Sequence, residues 1–183
     1  MIVHNIMKNG RIFIAVSILI AMIITIIVVR NYIFQAVAAY GHSMEPVIRH
    51  GDRILVDIRS YKTHRPDKGD IIAFRVGWRV LIKRVVGLPG DVIELKNGIL
   101  YCNSRQVEIS HPSPLSDRLR RRSFSPLKVW DRHVFVMGDN IEHSIDSRNF
   151  GMILYSDIIG KALLIYFPPG RIKKLDSHLT KIS

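Results

Sequence analysis

From Ile12 to Val29 the chain reads IFIAVSILIAMIITIIVV, without one charged residue. At 1.5 Å per residue such a run makes a helix of roughly 27 Å, close to the thickness of a bilayer's hydrocarbon core. A core helix of a globular domain shows some polar face to water, and here only Ser17 and Thr25 are polar. A cleavable leader has an apolar stretch of about 7–15 residues and then small residues. Ala36-Val37-Ala38 looks like such a cleavage site, but the run is longer, and Arg30 and Asn31 stand between them. The reading is therefore an uncleaved anchor over 12–29. Lys8 and Arg11 precede it without an acid, whereas only Arg30 follows before Glu45, which places residues 1–11 in the cytoplasm and the remainder on the exported side of the plasma membrane. A membrane-proximal linker at 30–40, a domain at 41–170 and a basic tail at 171–183 complete the expected organisation.

The 183 residues leave room for one domain besides the anchor. Residues 31–183 carry 24 of the 27 basic residues and all 15 acidic ones, so the exported part is basic on its own account, at +9. Nucleic acid is one partner for such a charge, yet there is no recognition helix, zinc spacing or aromatic-basic sheet motif. An anionic lipid surface beside the anchor explains the charge better, and no nucleic acid is expected. Arg118, Arg120, Arg121 and Arg122, among serines between Pro114 and Pro126, read as a solvated loop. The single cysteine, Cys102, excludes an internal disulfide and any Cys-rich metal site, and the eight histidines show no metal-binding pairing. Neither metal nor cofactor is expected.

Beyond the anchor the pattern is one of short strands. Gly-Asp at 51–52, 69–70 and 90–91 each opens onto a β-rich run: Ile54–Val56, Ile71–Phe74 and Val92–Leu95. Asn97-Gly98, between Val92–Lys96 and Ile99–Cys102, is the strongest two-residue hairpin signal in the chain. No segment after residue 45 has sustained helical periodicity. The fold class is thus mainly β: one transmembrane helix, then a β-rich domain of antiparallel sheets with a loop-rich excursion at about 104–129.

Ser43 lies in Gly41-His42-Ser43-Met44-Glu45-Pro46, 14 residues past the apolar run and so near the membrane. The nucleophile elbow of the α/β-hydrolases needs glycine where Glu45 stands. Ser43, His143 and Asp146 supply the residue types of a Ser-His-Asp triad, a coincidence easily met in a chain with eight histidines. Ser125-Pro126-Leu127-Lys128 matches the SxxK of β-lactamases, without the accompanying SDN and KTG elements. Lys83 is more informative. At strand period its companions are Leu81 and Val85, and a lysine among apolar neighbours is pushed toward the neutral amine that a serine nucleophile needs as its base. On pattern alone the ordinary reading is preferred, since most strand lysines snorkel to solvent.

Four blocks then make the chain recognisable: Gly41-His42-Ser43-Met44-Glu45-Pro46; Gly51-Asp52-Arg53-Ile54-Leu55-Val56; Lys83-Arg84-Val85-Val86-Gly87-Leu88-Pro89-Gly90-Asp91; and Gly138-Asp139-Asn140-Ile141-Glu142-His143-Ser144-Ile145-Asp146-Ser147-Arg148. In this order they resemble the type I signal peptidases, of the compact single-anchor kind, from the anchor to about Phe167. The resemblance implies a serine endopeptidase that cuts signal peptides from exported preproteins with a Ser-Lys dyad on two antiparallel sheets. Position by position, it implies Ser43 as nucleophile and Lys83 as general base, with Ser144 orienting the lysine amine. Asp146 and Arg148 resemble the ion pair beneath the site, with Asp139 and Arg84 as further structural candidates. The oxyanion hole falls to the Ser43 N–H, with Gly41 at the position where many Gram-negative members add a serine hydroxyl. Ala39, Tyr40, Met44 and Ile82 correspond to a shallow pocket for small side chains, implying an Ala-x-Ala preference that Ala36-Val37-Ala38 itself satisfies. A mitochondrial-type inner-membrane peptidase shares nearly the same blocks. The maturation peptidase of a conjugative transfer system usually departs in the last one, and a non-enzymatic membrane scaffold has no need of Ser43 and Lys83.

Overall fold

The computed structural model describes residues 2–109, 123–177 and 180–181. Helix α1 runs over Ile2–Tyr32. Where its side chains are described, at 13–28 and 32, the large apolar ones stand open, from Phe13 through Ile18 and Ile24 to Val28. Among the described residues, no helix is long and apolar enough to cross a membrane. The other two helices are single turns, α2 at Ser60–Thr63 and α3 at Ser147–Phe150.

Thirteen strands build the rest, all paired antiparallel among the described residues. The larger sheet has β1 (Phe34–Ala38), β2 (Arg53–Asp57), β11 (Ile158–Phe167), β3 (Ile71–Val76), β4 (Arg79–Gly87), β9 (His133–Met137) and β10 (Ile153–Leu154) in that spatial order, with β12 (Lys173–Lys174) on β11. The smaller runs β13 (Thr180–Lys181), β7 (Arg105–Glu108), β6 (Ile99–Cys102), β5 (Val92–Lys96) and β8 (Phe124–Lys128). The expected mainly antiparallel β fold is what the domain adopts.

Central strands here are buried on both faces, so they read as continuous apolar runs and not as alternation. In β3, Ile71 and Ala73 enter one cluster with Met44, Ile48, Val56 and Ile82, while Ile72 and Phe74 enter another with Val85 and Val136. A third cluster, with Val86, Ile93, Leu95, Phe135 and Met137, joins the two sheets. The Asn97-Gly98 turn closes the β5–β6 hairpin with φ of 50° and 80°, the positive values that a two-residue loop of this twist demands.

Three expected boundaries are corrected. The linker at 30–40 is the end of α1 and then β1, which pairs with β2 from Phe34↔Asp57 to Ala38↔Arg53. The excursion at 104–129 carries β7 at one end and β8 at the other, and residues 110–122, with the arginine cluster, lie outside the described residues. Residues 171–175 of the expected basic tail are built into the domain. Leu175 is buried, β12 pairs with β11, and Arg171 forks onto Asp52 at 2.9 and 2.8 Å.

Candidate active site

Ser43 sits on the turn that leaves β1. The chain reverses at Gly41, whose φ of +87° is open to glycine and strained for other residues. Met44 and Ile48 then plug the turn into the core, and Ile48 N–H donates to the Met44 carbonyl. From the other side the Asn140 N–H donates to the Ser43 carbonyl at 3.0 Å, so the block at 138–148 holds the serine backbone directly. Gly138 fits tightly there: a Cβ on it would strike both the Ser144 hydroxyl and the Ser43 carbonyl.

Lys83, on β4, is 3% exposed, and its Nζ lies 2.5 Å from Ser43 Oγ. Burial pushes its ammonium down to about 8, against the pull of the Asp146 and Asp139 carboxylates and with help from Arg148. Each carboxylate is also paired with an arginine. Asp146 is fully buried, caps α3, accepts from the Gly138 N–H at 3.1 Å, and takes the Arg148 fork at 2.7 and 2.8 Å. Asp139 takes the Arg84 fork at 2.7 and 2.9 Å, and Arg84 also reaches the Gly69 and Asp176 carbonyls. Burial moves the Asp139 carboxyl upward, with Arg84 opposing.

Two expectations are corrected at this level. The bond expected from Ser144 to the Lys83 amine is not made: Ser144 Oγ is buried and without a partner. Gly41 is not a free oxyanion donor, because its N–H donates to His50 Nδ1 at 3.1 Å. No hydrogen bond among the described residues engages the Ser43 N–H. The Ser-His-Asp alternative is not assembled, since His143 pairs with Asn140, His42 pairs with Glu45, and Arg148 occupies Asp146. Ser125 and Lys128 lie on β8, the outer strand of the smaller sheet.

Ala39, Tyr40, Met44 and Ile82 line one cleft together with Ser43 and Lys83. The cleft continues along β1 from Gln35 and along β4 from Arg79 to Leu81. The resemblance implies a pocket between the chain before Ser43 and the strand before Lys83, but not its extension to Gln35 and Arg79, for which the small residues Ala36 and Ala38 are the one sign in the sequence. A hydroxyl held against a buried amine that loses its proton near pH 8, at one end of a strand-walled cleft, has the makings of a hydrolase acting on extended peptide. The model of the family "Signal peptidase, peptidase S26" matches residues 11–167, and the chain belongs to that family. It is 30% identical to signal peptidase I S of Bacillus subtilis over 93% of this chain and 97% of that protein. It is 32% identical to signal peptidase I of Bacillus amyloliquefaciens over 87% and 90%, and 35% identical to signal peptidase I P of Bacillus subtilis subsp. natto over 86% and 89%. Its activity is that of a signal peptidase I, a serine peptidase and hydrolase.

Proposed function

We propose that the protein is a membrane-anchored endopeptidase that removes signal peptides from exported preproteins after small residues, using Ser43 as nucleophile and Lys83 as general base. The observation that carries the mechanism is the 2.5 Å approach of a buried, pKa-depressed amine to the serine hydroxyl. With the amine neutral, its lone pair takes the Ser43 proton as Oγ attacks the scissile carbonyl. The ammonium so formed lies near Asp146 and Asp139, which favour its charge. It then returns the proton to the leaving amine of the mature protein, and a water molecule activated by the same lysine releases the signal peptide from the acyl-serine. The free Ser43 N–H serves the developing oxyanion. Gly41 joins it only if His50 lets go.

Substrate choice follows from the cleft. Met44 and Ile82 are buried, and with Ala39 they offer an apolar, shallow wall near Ser43 that suits alanine-sized side chains. Anchoring is supported by the uncharged run Ile12–Val29 within a 31-residue helix whose described apolar side chains are open to the surroundings. Lys8 and Arg11 favour a cytoplasmic amino terminus, which leaves the peptidase domain on the exported side.

The test is cleavage of a preprotein by the purified full chain in detergent, beside the Ser43→Ala variant and a preprotein with bulky residues at the cut. Processing of the native site alone, by the wild type alone, is expected. Activity in Ser43→Ala, or equal cutting of the blocked substrate, overturns the assignment.

A further inference from the structure

Trp78 is the most exposed large apolar side chain in the described structure, at 103%. It stands in the two-residue loop Gly77-Trp78, between the paired residues Val76 and Arg79 that end β3 and begin β4. An indole in open water is costly for a side chain that buries so much area wherever it finds a partner. No core position fails for want of it, because β3 and β4 are already packed from Ile71 to Phe74 and from Ile82 to Val86. The tip therefore projects for a partner outside the domain.

Topology says where that partner is. Along the larger sheet the order β1, β2, β11, β3, β4 alternates in direction at every step, so β1 and β4 run the same way. They are also the two walls of the cleft that ends at Ser43 and Lys83. The beginnings of both strands thus lie at one end of the domain. β1 begins at Phe34, directly after α1 ends at Tyr32, and β4 begins at Arg79, directly after Trp78. Around this end the exposed charges are mostly basic. Arg75 and Arg79 flank the indole, and Arg59 and Lys62 stand on the α2 corner that follows β2, whose end at Asp57 pairs with Phe34. Two acids share this end, Asp57, which accepts from the Arg59 N–H and the Ser60 hydroxyl, and the exposed Asp157 just before β11, so these four basic side chains outnumber the carboxylates two to one.

We propose that the β3–β4 hairpin tip docks into the anionic headgroup layer beside α1, with Trp78 at the interface and Arg75 and Arg79 on lipid phosphates. This rests on the reading of α1 as an anchor and deepens it. One helix fixes the distance of the domain from the bilayer but leaves it free to rotate about its link. A second contact on the opposite wall of the cleft removes that freedom. The cleft mouth is then held over the membrane, where a signal peptide emerges and runs toward Ser43. Tryptophan and arginine side by side are the residue types that favour such a layer, one for its amphipathic ring and the other for its charge.

The chain carries its own control. Its two tryptophans lie at opposite ends, since β9 pairs Met137 with Arg84 and Phe135 with Gly87, which puts Trp130, before β9, beyond the far end of β4. Full-length Trp130→Phe and Trp78→Phe variants are reconstituted into phosphatidylglycerol-phosphatidylcholine vesicles with brominated acyl chains. Expected for Trp78 is a blue-shifted emission quenched about twofold or more by the bromolipid and protected from iodide, as for an interfacial indole. Trp130 is expected to show the reverse. Iodide access to Trp78 equal to that of Trp130 overturns the proposal, as does protection from iodide without bromolipid quenching, which assigns the tip to a protein partner or a second copy. As a second readout, Trp78→Ser and Arg75→Ser are expected to keep wild-type cleavage of a short peptide in detergent and to lose several-fold on a membrane-inserted preprotein, an effect that high salt reproduces in the wild type. Wild-type rates for both variants on the inserted preprotein count against docking. The underlying reading fails separately. If alkaline carbonate strips the wild type from vesicles, α1 is no anchor; if it stays in the pellet with Trp78 open to iodide, the anchor stands and the docking tip falls.

Discussion

Lys83 Nζ lies 2.5 Å from Ser43 Oγ, although the two residues are 40 positions apart in sequence and sit on different elements. In the proposed mechanism two groups so close act as one unit. Ser43→Ala and Lys83→Ala are each expected to lower kcat/KM for a preprotein on the order of 10³-fold or more, and the double variant no further. Lys83→Arg is expected to be as inactive, because a guanidinium stays protonated and cannot take the serine proton. Single-turnover cleavage assays check all four, and appreciable activity in Lys83→Arg, or additive losses, would separate the pair.

The depressed lysine makes a pH prediction with a definite sign. Its amine accepts a proton only when neutral, so kcat/KM rises as pH passes through about 8 and levels off above it. A histidine base would put that limb near ~6.5. Stability follows the same titration. Lys83 in the folded chain titrates at about 8 and in the unfolded chain near its ordinary 10.5, so the unfolded state holds more protons between these values and folding becomes more favourable as pH rises across them. Below about 8 the buried ammonium costs on the order of 3 kcal/mol. Lys83→Met, similar in length and uncharged, is expected to be inactive yet more stable by about 1–3 kcal/mol at neutral pH, read by urea denaturation at pH 7 and 10. The gain should shrink at pH 10.

How much of this was legible beforehand depended on whether a feature is local. The Asn97-Gly98 hairpin was readable because its turn chemistry needs no distant partner. The apolar runs at 71–74 and 92–95 announced strands for the same reason. Ser43 and Lys83 came from motif resemblance; the strand-face argument for Lys83 was weak, since a snorkelling lysine has the same pattern. β1 was hidden because Phe-Gln-Ala-Val-Ala becomes a strand only by pairing with β2. The C-terminal segment reads as a basic tail, and only the fold reveals that Arg171 meets Asp52, 119 residues away. The same holds for Gly41, whose N–H is taken by a histidine that no spacing rule connects to it.

That Arg171–Asp52 fork makes the tail part of the active-site support. Burial alone would raise the Asp52 carboxyl, yet the Arg171 guanidinium and the Arg49 N–H outweigh it and hold it below the usual range. Arg171→Ala leaves a buried carboxylate unpaired at the foot of the turn bearing Ser43, and is expected to cost about 3–5 kcal/mol. Thermal melts of the full chain check this. Because the folded carboxyl titrates low, the pair's stabilisation is present above about 3.9 and lost on acidification below it, so wild type and variant should converge in acid.

Ser144 and Gly138 separate packing from chemistry. Ser144→Ala removes a buried hydroxyl with no partner, so the fold should be unchanged or stabilised by up to about 1 kcal/mol. If the hydroxyl turns to the Lys83 amine in the substrate complex, cleavage falls by up to about tenfold, the worth of one ordinary hydrogen bond. Gly138→Ala does the opposite to the fold. Its Cβ drives against Ser144 Oγ and the Ser43 carbonyl, with an expected cost of about 1–3 kcal/mol and a larger loss of rate, because the backbone that moves carries Ser43, the proposed nucleophile. Melting temperatures beside rates distinguish the two, and a Gly138→Ala enzyme with wild-type rate would show that Ser43 is not held from this side.

Ala36-Val37-Ala38 fits the small-residue cleavage pattern and lies a few residues from Ser43, which raises self-cleavage. The structure argues against it in the folded protein. The bond at risk joins Ala38 to Ala39, and the Ala39 N–H already donates to the Asp52 carbonyl at 2.8 Å while the Ala39 carbonyl accepts from the Gly51 N–H at 2.9 Å. Upstream, β1 is paired with β2 along its whole length. To enter another molecule's cleft as an extended substrate, this segment would have to leave the sheet and uncover Ile54 and Val56, both fully buried. Aged wild-type protein is therefore expected to keep its original amino terminus at neutral pH and to yield a fragment beginning at Ala39 only where urea or heat opens the sheet edge while some molecules stay active. Amino-terminal sequencing of wild type and Ser43→Ala, stored side by side with and without about 2 M urea, a concentration below the unfolding midpoint of an ordinary domain, reads this directly. A fragment starting at Ala39 in native wild type alone would mean that β1 detaches readily and that the cleft wall it forms is not a fixed one.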